Sequence, residues 1–201
     1  MESIKSSLLT AFNSDLRNEF SIAIGRAYLN SIERGKEFDS FAKVAQPYLR
    51  WFWCEALLEQ VAKNQKISYS IAPNKAKNCN HLNIKSNNWS MTAHHASNGP
   101  LPRRASYRSM YAQRNYDLFE QDIDHGSILI TSGHLYLMHD GEGRNVHEIN
   151  FTVPSNDMRS VIYTERLNII SHSEVMNEKV EDELDEKINI KVDEILRRKA
   201  I

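Results

Sequence analysis

The spacing of apolar residues changes from a helical to a strand-like pattern near residue 67, and this change limits the folds open to the chain. Before it, apolar residues recur about every four positions over 3–32 and 38–64, which places them on one face of a helix. Asn13-Ser14-Asp15 is a sequence that can cap a second helix and so break the run 3–32 in two. From residue 67 onward, apolar and polar residues alternate in short runs, as in a strand with one buried face. The pattern therefore predicts helices first and strands afterwards.

The second part of the chain predicts a small sheet. Short alternating runs between 67 and 94 are typical of strands with one polar face. A longer apolar run over 127–138 is followed by a glycine-containing turn and a second run over 146–153, which together predict a β-hairpin at 127–153. We expect a mainly antiparallel sheet with the N-terminal helices packed on it.

The C-terminal stretch 174–199 predicts a long amphipathic helix. Its apolar residues form a narrow stripe through Val180, Leu184, Ile188 and Val192, and nearly every other position is charged. The acidic first half and the basic last turn both complement the helix dipole. Because so narrow a stripe is typical of a coiled-coil seam, we expect homo-oligomer formation through 174–199.

The predicted fold class is therefore α+β: N-terminal helices on a small, mainly antiparallel sheet, with a long C-terminal amphipathic helix. We expect a single α+β domain over 1–170, helical over 1–64 and strand-rich over 67–165. Residues 171–201 would form the C-terminal, coiled-coil-like helix. The 41% hydrophobic content is sufficient for a core of this size.

Three sequence features predict a cytoplasmic protein that does not enter a membrane. No stretch reaches the roughly 18 consecutive apolar residues that a membrane span needs. The N-terminus has neither a basic leading region nor a small-residue cleavage site, so no signal peptide is expected. The two cysteines, Cys54 and Cys79, follow no disulfide or zinc pattern and fit a reducing compartment.

Charge is distributed very unevenly along the chain. Residues 60–116, here called the basic segment, contain nine Lys and Arg residues and no Asp or Glu. The net charge of the whole chain is −1, so the remaining residues together carry −10. Segregation of this kind predicts a surface directed at a polyanion, and nucleic acid is the first candidate because Lys and Arg neutralise its phosphates.

Aromatic residues interleave with these cations and are expected to stack on unpaired bases. If 105–114 is helical, Arg104 and Arg108 lie one turn apart, as do Tyr107 and Tyr111. The predicted nucleic-acid-binding residues are Lys85, Trp89, Arg103, Arg104, Tyr107, Arg108, Tyr111 and Arg114.

Two other roles for the basic segment remain open. Its charge could be neutralised within the chain, by the acidic start of the C-terminal helix or by the acids of 117–124. It could also meet a protein with an acidic face. A related possibility is a protein-interaction or inhibitor protein that acts through the C-terminal helix.

His94 and His95 raise an enzymatic alternative, a metal-independent nuclease or phosphodiesterase. Imidazoles move protons near neutral pH, and nearby arginines stabilise the charge that develops on phosphorus. Successive strand side chains point to opposite faces, so at most one of the two histidines faces a given site. The common nucleotide-binding, serine-nucleophile and zinc-protease motifs are absent from the sequence. No cofactor or metal is expected, and whether the protein is an enzyme stays open.

Overall fold

The computed structural model describes residues 2–74, 77, 79–96, 99–103, 105–115, 132–170 and 188. Helices come first: α1 (Glu2–Ala11), α2 (Ser14–Gly35), a 3₁₀ helix (Lys36–Phe41) and α3 (Ala42–Asn64). The later elements are β1 (Ser68–Pro73), β2 (Asn80–Ser86), β3 (Trp89–His95), α4 (Ser106–Ala112), β4 (Gly133–Glu142), β5 (Asn145–Pro154) and β6 (Val161–Arg166).

Asn13 separates the first two helices. Its backbone is extended, and its side-chain oxygen accepts a hydrogen bond from the Leu16 backbone N–H at 2.9 Å. This side-chain cap satisfies one of the amides that a helix leaves free at its start. The break that the Asn-Ser-Asp sequence predicts within 3–32 is therefore confirmed. None of the described helices is long and apolar enough to cross a membrane.

The sheet has six strands in the order β1-β2-β3-β4-β5-β6, and it is mixed. Strands β3 and β4 run parallel, with Trp89 opposite Gly133 and His95 opposite His139, whereas the other neighbours are antiparallel. A parallel pair requires a crossover connection, and α4 lies within it. The hairpin predicted at 127–153 is confirmed by the antiparallel pairing of β4 with β5.

The predicted fold class was wrong in two respects. The sheet has six strands and is mixed, since β3 and β4 run parallel, where a small and mainly antiparallel sheet was expected. Alternation within a strand carries no information about the direction of its partner. The fold as described also has no long C-terminal helix. Of the predicted helix 174–199, only Ile188 lies within the described residues, and its side chain is buried in the main core. Homo-oligomer formation through 174–199 therefore stays a prediction outside the described residues.

The first three helices pack on one face of the sheet. Phe12, which directly follows α1, Phe20 of α2 and Phe151 of β5 form an aromatic cluster at this interface, with ring centroids 5.6 to 6.5 Å apart. Such tilted and edge-on pairs are the favoured arrangement of buried rings. Most apolar side chains of β2–β5 point towards these helices. The opposite face lies beneath α4 and carries most of the polar side chains, together with a smaller buried cluster of Ala112, Tyr136, Met138 and Met158.

Asn115 joins the residues that follow α4 to the sheet. Its Nδ2 donates hydrogen bonds to the carbonyl oxygens of His134 and Pro154, both at 2.8 Å. Its Oδ1 accepts from the His134 backbone N–H at 2.5 Å. A Cβ on Gly133 would lie 2.5 Å from this Oδ1, and Gly133 has φ +151°, so the contact requires glycine there.

We expect Asn115→Ala to lower the free energy of unfolding by about 3 kcal/mol, because it leaves three buried backbone groups without partners. Urea denaturation followed by circular dichroism measures this change. Gln113→Ala is the matched control, since Gln113 is exposed and its substitution should change the stability by less than about 0.5 kcal/mol. An equal effect of the two substitutions would contradict the role given to Asn115.

Candidate functional site

The face of the sheet opposite α1–α3 is lined by histidine and tyrosine side chains, where an ordinary second layer would be aliphatic. The strands contribute the histidines because their polar positions alternate with the core positions. Helix α4 contributes two of the tyrosines from above. This histidine–tyrosine layer consists of His81, His94, His134, Tyr107, Tyr111 and Tyr136.

One stack within the layer runs from the sheet to the surface through Tyr107. The rings of His81 and Tyr107 lie 4.2 Å apart at an interplanar angle of 24°. The Arg108 guanidinium carbon is 5.2 Å from the Tyr107 ring centroid, and its Nε donates a hydrogen bond to the Tyr107 hydroxyl at 3.0 Å. Arg108 also donates to the carbonyl oxygen of Arg103. The guanidinium is thus held in a defined position.

A second stack repeats this order of residues. His134 and Tyr111 are almost parallel, at 14°, with centroids 4.7 Å apart. The Arg114 guanidinium carbon lies 5.1 Å from the Tyr111 ring centroid. In each stack a buried histidine supports a tyrosine, and the tyrosine supports an arginine. Stacking on an aromatic ring helps to order an arginine, and Arg108 is held in addition by its hydrogen bonds to Tyr107 and Arg103.

The cations of this surface have no acidic partner within the part of the chain that the structure describes. Lys85, Arg103, Arg108 and Arg114 form no ion pair there, whereas Lys63 pairs with Glu59 at 2.8 Å. The acids that the sequence offers for internal neutralisation, in 117–124 and 174–186, lie outside the described residues. The four cations are here called the arginine surface.

The histidines beneath this surface are held in the neutral form. Burial lowers the pKa of His134 to about 3, and the charge of Arg114 adds to the effect. Burial and then Arg108 lower the pKa of His94 well below its usual value, and they lower the pKa of His81 as well. All three imidazoles therefore remain uncharged at neutral pH.

Hydroxyl groups bind these neutral rings. The Thr92 hydroxyl lies 2.8 Å from His94 Nε2 and 3.0 Å from His134 Nε2, and the Ser90 hydroxyl lies 2.7 Å from His134 Nδ1. A hydroxyl can donate to one imidazole nitrogen and accept from another, so it suits a neutral ring in either tautomer. The chain of contacts from Ser90 to His94 fixes the orientation of both histidines.

The structure brings together most of the residues predicted to bind nucleic acid. Lys85 is exposed on β2 and belongs to the same strand face as the histidine of the first stack. Arg103 and Arg114 are exposed, and Arg108 and Tyr107 are half-buried. Arg104 lies outside the described residues.

Two of the predicted aromatic residues are not available at this surface. Trp89 is only 2% exposed and points towards the helices, where its indole N–H donates to the Ser7 hydroxyl at 2.8 Å. Tyr111 is 5% exposed, and one face of its ring is covered by His134. Neither side chain can stack on a bound base in this conformation.

His94 and His95 point to opposite faces of the sheet, as strand geometry requires. His94 lies in the histidine–tyrosine layer and is 5% exposed. His95 projects from the other face, where its ring is 5.6 Å from His139 and its Nε2 is 3.7 Å from a carboxylate oxygen of Asp140. The two histidines therefore do not form one site.

An opening between β2 and β3 adds residues that the sequence did not single out. The two strands pair at only three positions, from Ser86–Trp89 to Ile84–Met91, and then separate. Glu55 of α3 occupies the gap from the helix side, where its carboxylate accepts from the backbone N–H of Leu82. Burial raises the pKa of Glu55 to about 8. The only sequence signal for this region is that His81 and Asn83 alternate with apolar residues.

Among the described residues, no group of three or more His, Cys, Asp and Glu side chains is arranged to hold a metal ion. Comparison with known proteins found no match to a protein-family model, to a curated protein or to a solved structure.

The buried histidines should make stability depend on pH. His134 is neutral in the folded protein and has a pKa lowered to about 3, so below pH 6.5 only the unfolded chain binds its proton. The contribution of neutral His134 to the free energy of unfolding is complete above pH 6.5 and is lost as the pH falls towards 3. Between pH 6.5 and 5, we expect His134→Asn to reduce the slope of unfolding free energy against pH by about 1.4 kcal/mol per unit.

Urea denaturation at several pH values measures this slope, and His147→Asn is the control because His147 is exposed. Since the comparison uses slopes, a general loss of stability in either variant does not affect it. Identical slopes for the wild-type protein and His134→Asn would show that His134 is not buried in its neutral form.

Proposed function

We propose that the protein binds nucleic acid, or a polyanion of the same phosphate chemistry, through the arginine surface. The observation that carries the proposal is the pair of stacks that present Arg108 and Arg114. Both guanidinium groups are positioned on tyrosine rings, and neither is neutralised by an acid among the described residues.

Positioned arginines suit this function for two physical reasons. A planar guanidinium binds phosphate oxygens through two parallel hydrogen bonds, which requires a defined orientation. A side chain that is already ordered also loses less conformational entropy when the ligand binds. Because Arg103 and Lys85 add exposed charge nearby, the surface would attract an extended chain of phosphates.

The proposal includes a cytoplasmic location. Cys54 is buried and Cys79 is half-buried, and neither forms a disulfide. Two free thiols are typical of a compartment in which glutathione and thioredoxin keep cysteines reduced.

We expect Arg108→Ala/Arg114→Ala to weaken binding and to make it less sensitive to salt. Each phosphate contact adds about 0.7 to 0.9 to the slope of log affinity against log salt concentration, so the double variant should lose roughly 1.4 to 1.8 from that slope. Fluorescence anisotropy with a labelled oligonucleotide between about 50 and 200 mM salt measures the effect.

The matched control is Arg144→Ala/Arg159→Ala, which removes the same charge from arginines paired with Glu33 and Asp157. This control should leave the salt slope within error of the wild-type value. The proposal fails if the protein binds neither DNA nor RNA at low salt, or if both double variants weaken binding equally.

A second candidate function is metal-independent cleavage of a phosphodiester bond. The observation that favours it is the position of His94, whose ring lies 6.1 Å from that of Tyr107, the tyrosine that accepts a hydrogen bond from Arg108. The Thr92 hydroxyl at 2.8 Å orients its ring. A neutral imidazole beside an arginine can accept a proton while the arginine stabilises charge on phosphorus.

If this second function is correct, labelled RNA or DNA will be cleaved in the presence of EDTA, and His94→Gln will abolish the cleavage. His95→Gln is the control, because His95 lies on the opposite face and should retain full activity. Cleavage that is absent from the wild-type protein, or that survives in His94→Gln, removes this candidate. Thermal unfolding of both variants verifies that they fold.

A further inference from the structure

Within the residues that the structure describes, two buried polar atoms on β2 have no hydrogen-bond partner. They are Nδ1 of His81 and Oδ1 of Asn83, in side chains that are 5% and 1% exposed. A buried polar atom without a partner costs about 1–3 kcal/mol of stability, and folded proteins contain few of them. Two such atoms, only two residues apart on one strand, indicate a site where a bound ligand supplies hydrogen bonds that the chain does not.

Both atoms lie where the sheet opens. His81 and Asn83 pair with Ala72 and Ser70 of β1, but β2 has already separated from β3 at these positions. The two side chains are two residues apart on one strand and therefore point to the same face. That face is the one covered by α4, since His81 stacks on Tyr107.

The Tyr107 side chain covers one face of the His81 ring. Its ring lies on the imidazole of His81 at 4.2 Å and is half-buried. Its hydroxyl accepts the hydrogen bond from Arg108 Nε at 3.0 Å. A phosphate bound to Arg108 competes with this hydroxyl for the Nε–H donor. Phosphate binding would therefore release Tyr107 and expose the ring and the free nitrogen of His81, while the hydrogen bond to the Arg103 carbonyl oxygen still holds the Arg108 guanidinium in position.

We propose that the opening at His81 and Asn83 receives one unpaired nucleobase of a single strand whose phosphates lie on the arginine surface. The inference rests on the proposed function and adds the class of ligand to it. The base takes the place of the Tyr107 ring on His81. An N–H group of the base donates to Asn83 Oδ1.

An unpaired base meets both requirements of the opening. It has a flat aromatic face for the imidazole, and its Watson–Crick edge carries the N–H donor that Asn83 Oδ1 lacks. In a double helix the same edge is occupied by the complementary base, so entry would require the base to be flipped out at additional cost. Single-stranded nucleic acid is therefore the expected ligand.

The test compares two single-stranded oligonucleotides of equal length and charge, one with bases throughout and one with a run of abasic sites. The wild-type protein should bind the abasic strand about tenfold more weakly, as expected for the loss of one stacked base. In Asn83→Leu this ratio should fall towards one, while the melting temperature stays equal or rises because an unpaired buried acceptor has been removed. Asn145→Leu, at an exposed position of β5, should keep the wild-type ratio.

Tyr107→Ala provides a second variant with a different expectation. If Tyr107 only covers His81, its removal leaves the ratio at or above the wild-type value. A ratio that falls to one in Tyr107→Ala would make Tyr107 itself the stacking platform and would overturn the inference.

The remaining outcomes separate this inference from the proposed function. Equal affinity of the wild-type protein for both oligonucleotides would overturn base recognition and leave phosphate binding in place. An unchanged ratio in Asn83→Leu would also overturn it. Failure of both oligonucleotides to bind at low salt would remove the proposed function, and base recognition with it.

Discussion

The hydrogen bonds of Asn115 hold the arrangement on which the candidate site depends. They attach the chain just after α4 to the start of β4 and the end of β5, where the polypeptide has crossed from β3 to its parallel partner. Because α4 is attached at this point, Tyr107 and Tyr111 lie over the polar face of the sheet. The hydrogen bond from the Tyr136 hydroxyl to the Arg108 carbonyl oxygen, at 3.0 Å, holds α4 over the same face. The positions of the arginines that rest on these tyrosines depend on both attachments.

The histidine–tyrosine layer reconciles two opposing requirements. A surface that binds phosphates needs positive charge, but charge beneath it would be costly because a buried ion loses its hydration. Neutral histidines add no charge beneath the arginines. Burial and the nearby arginines keep them unprotonated, and hydroxyl groups bind their ring nitrogens. His81 and Asn83 depart from the pattern, with one unpartnered atom each. Departures of this kind are expected where stability is exchanged for binding.

Sequence patterns predicted the local elements well and their assembly poorly. The helices before residue 64, the break at Asn13 and the β4–β5 hairpin are present as expected. The direction of the β3–β4 pair was missed because it depends on how the intervening chain crosses the sheet. Trp89 was assigned to the binding surface from its neighbours in sequence, yet its position on β3 directs it into the core on the other face.

The amino-acid sequence by itself determined the type of each element and the segregation of charge. Both follow from local order, since the period of apolar residues distinguishes helix from strand and the basic segment can be read directly. Only the tertiary structure decided which cations are seated on aromatic rings, which of His94 and His95 faces them, and which polar atoms remain unpaired. These properties arise from contacts between residues far apart in sequence, such as Tyr111 with His134, and no local pattern encodes them.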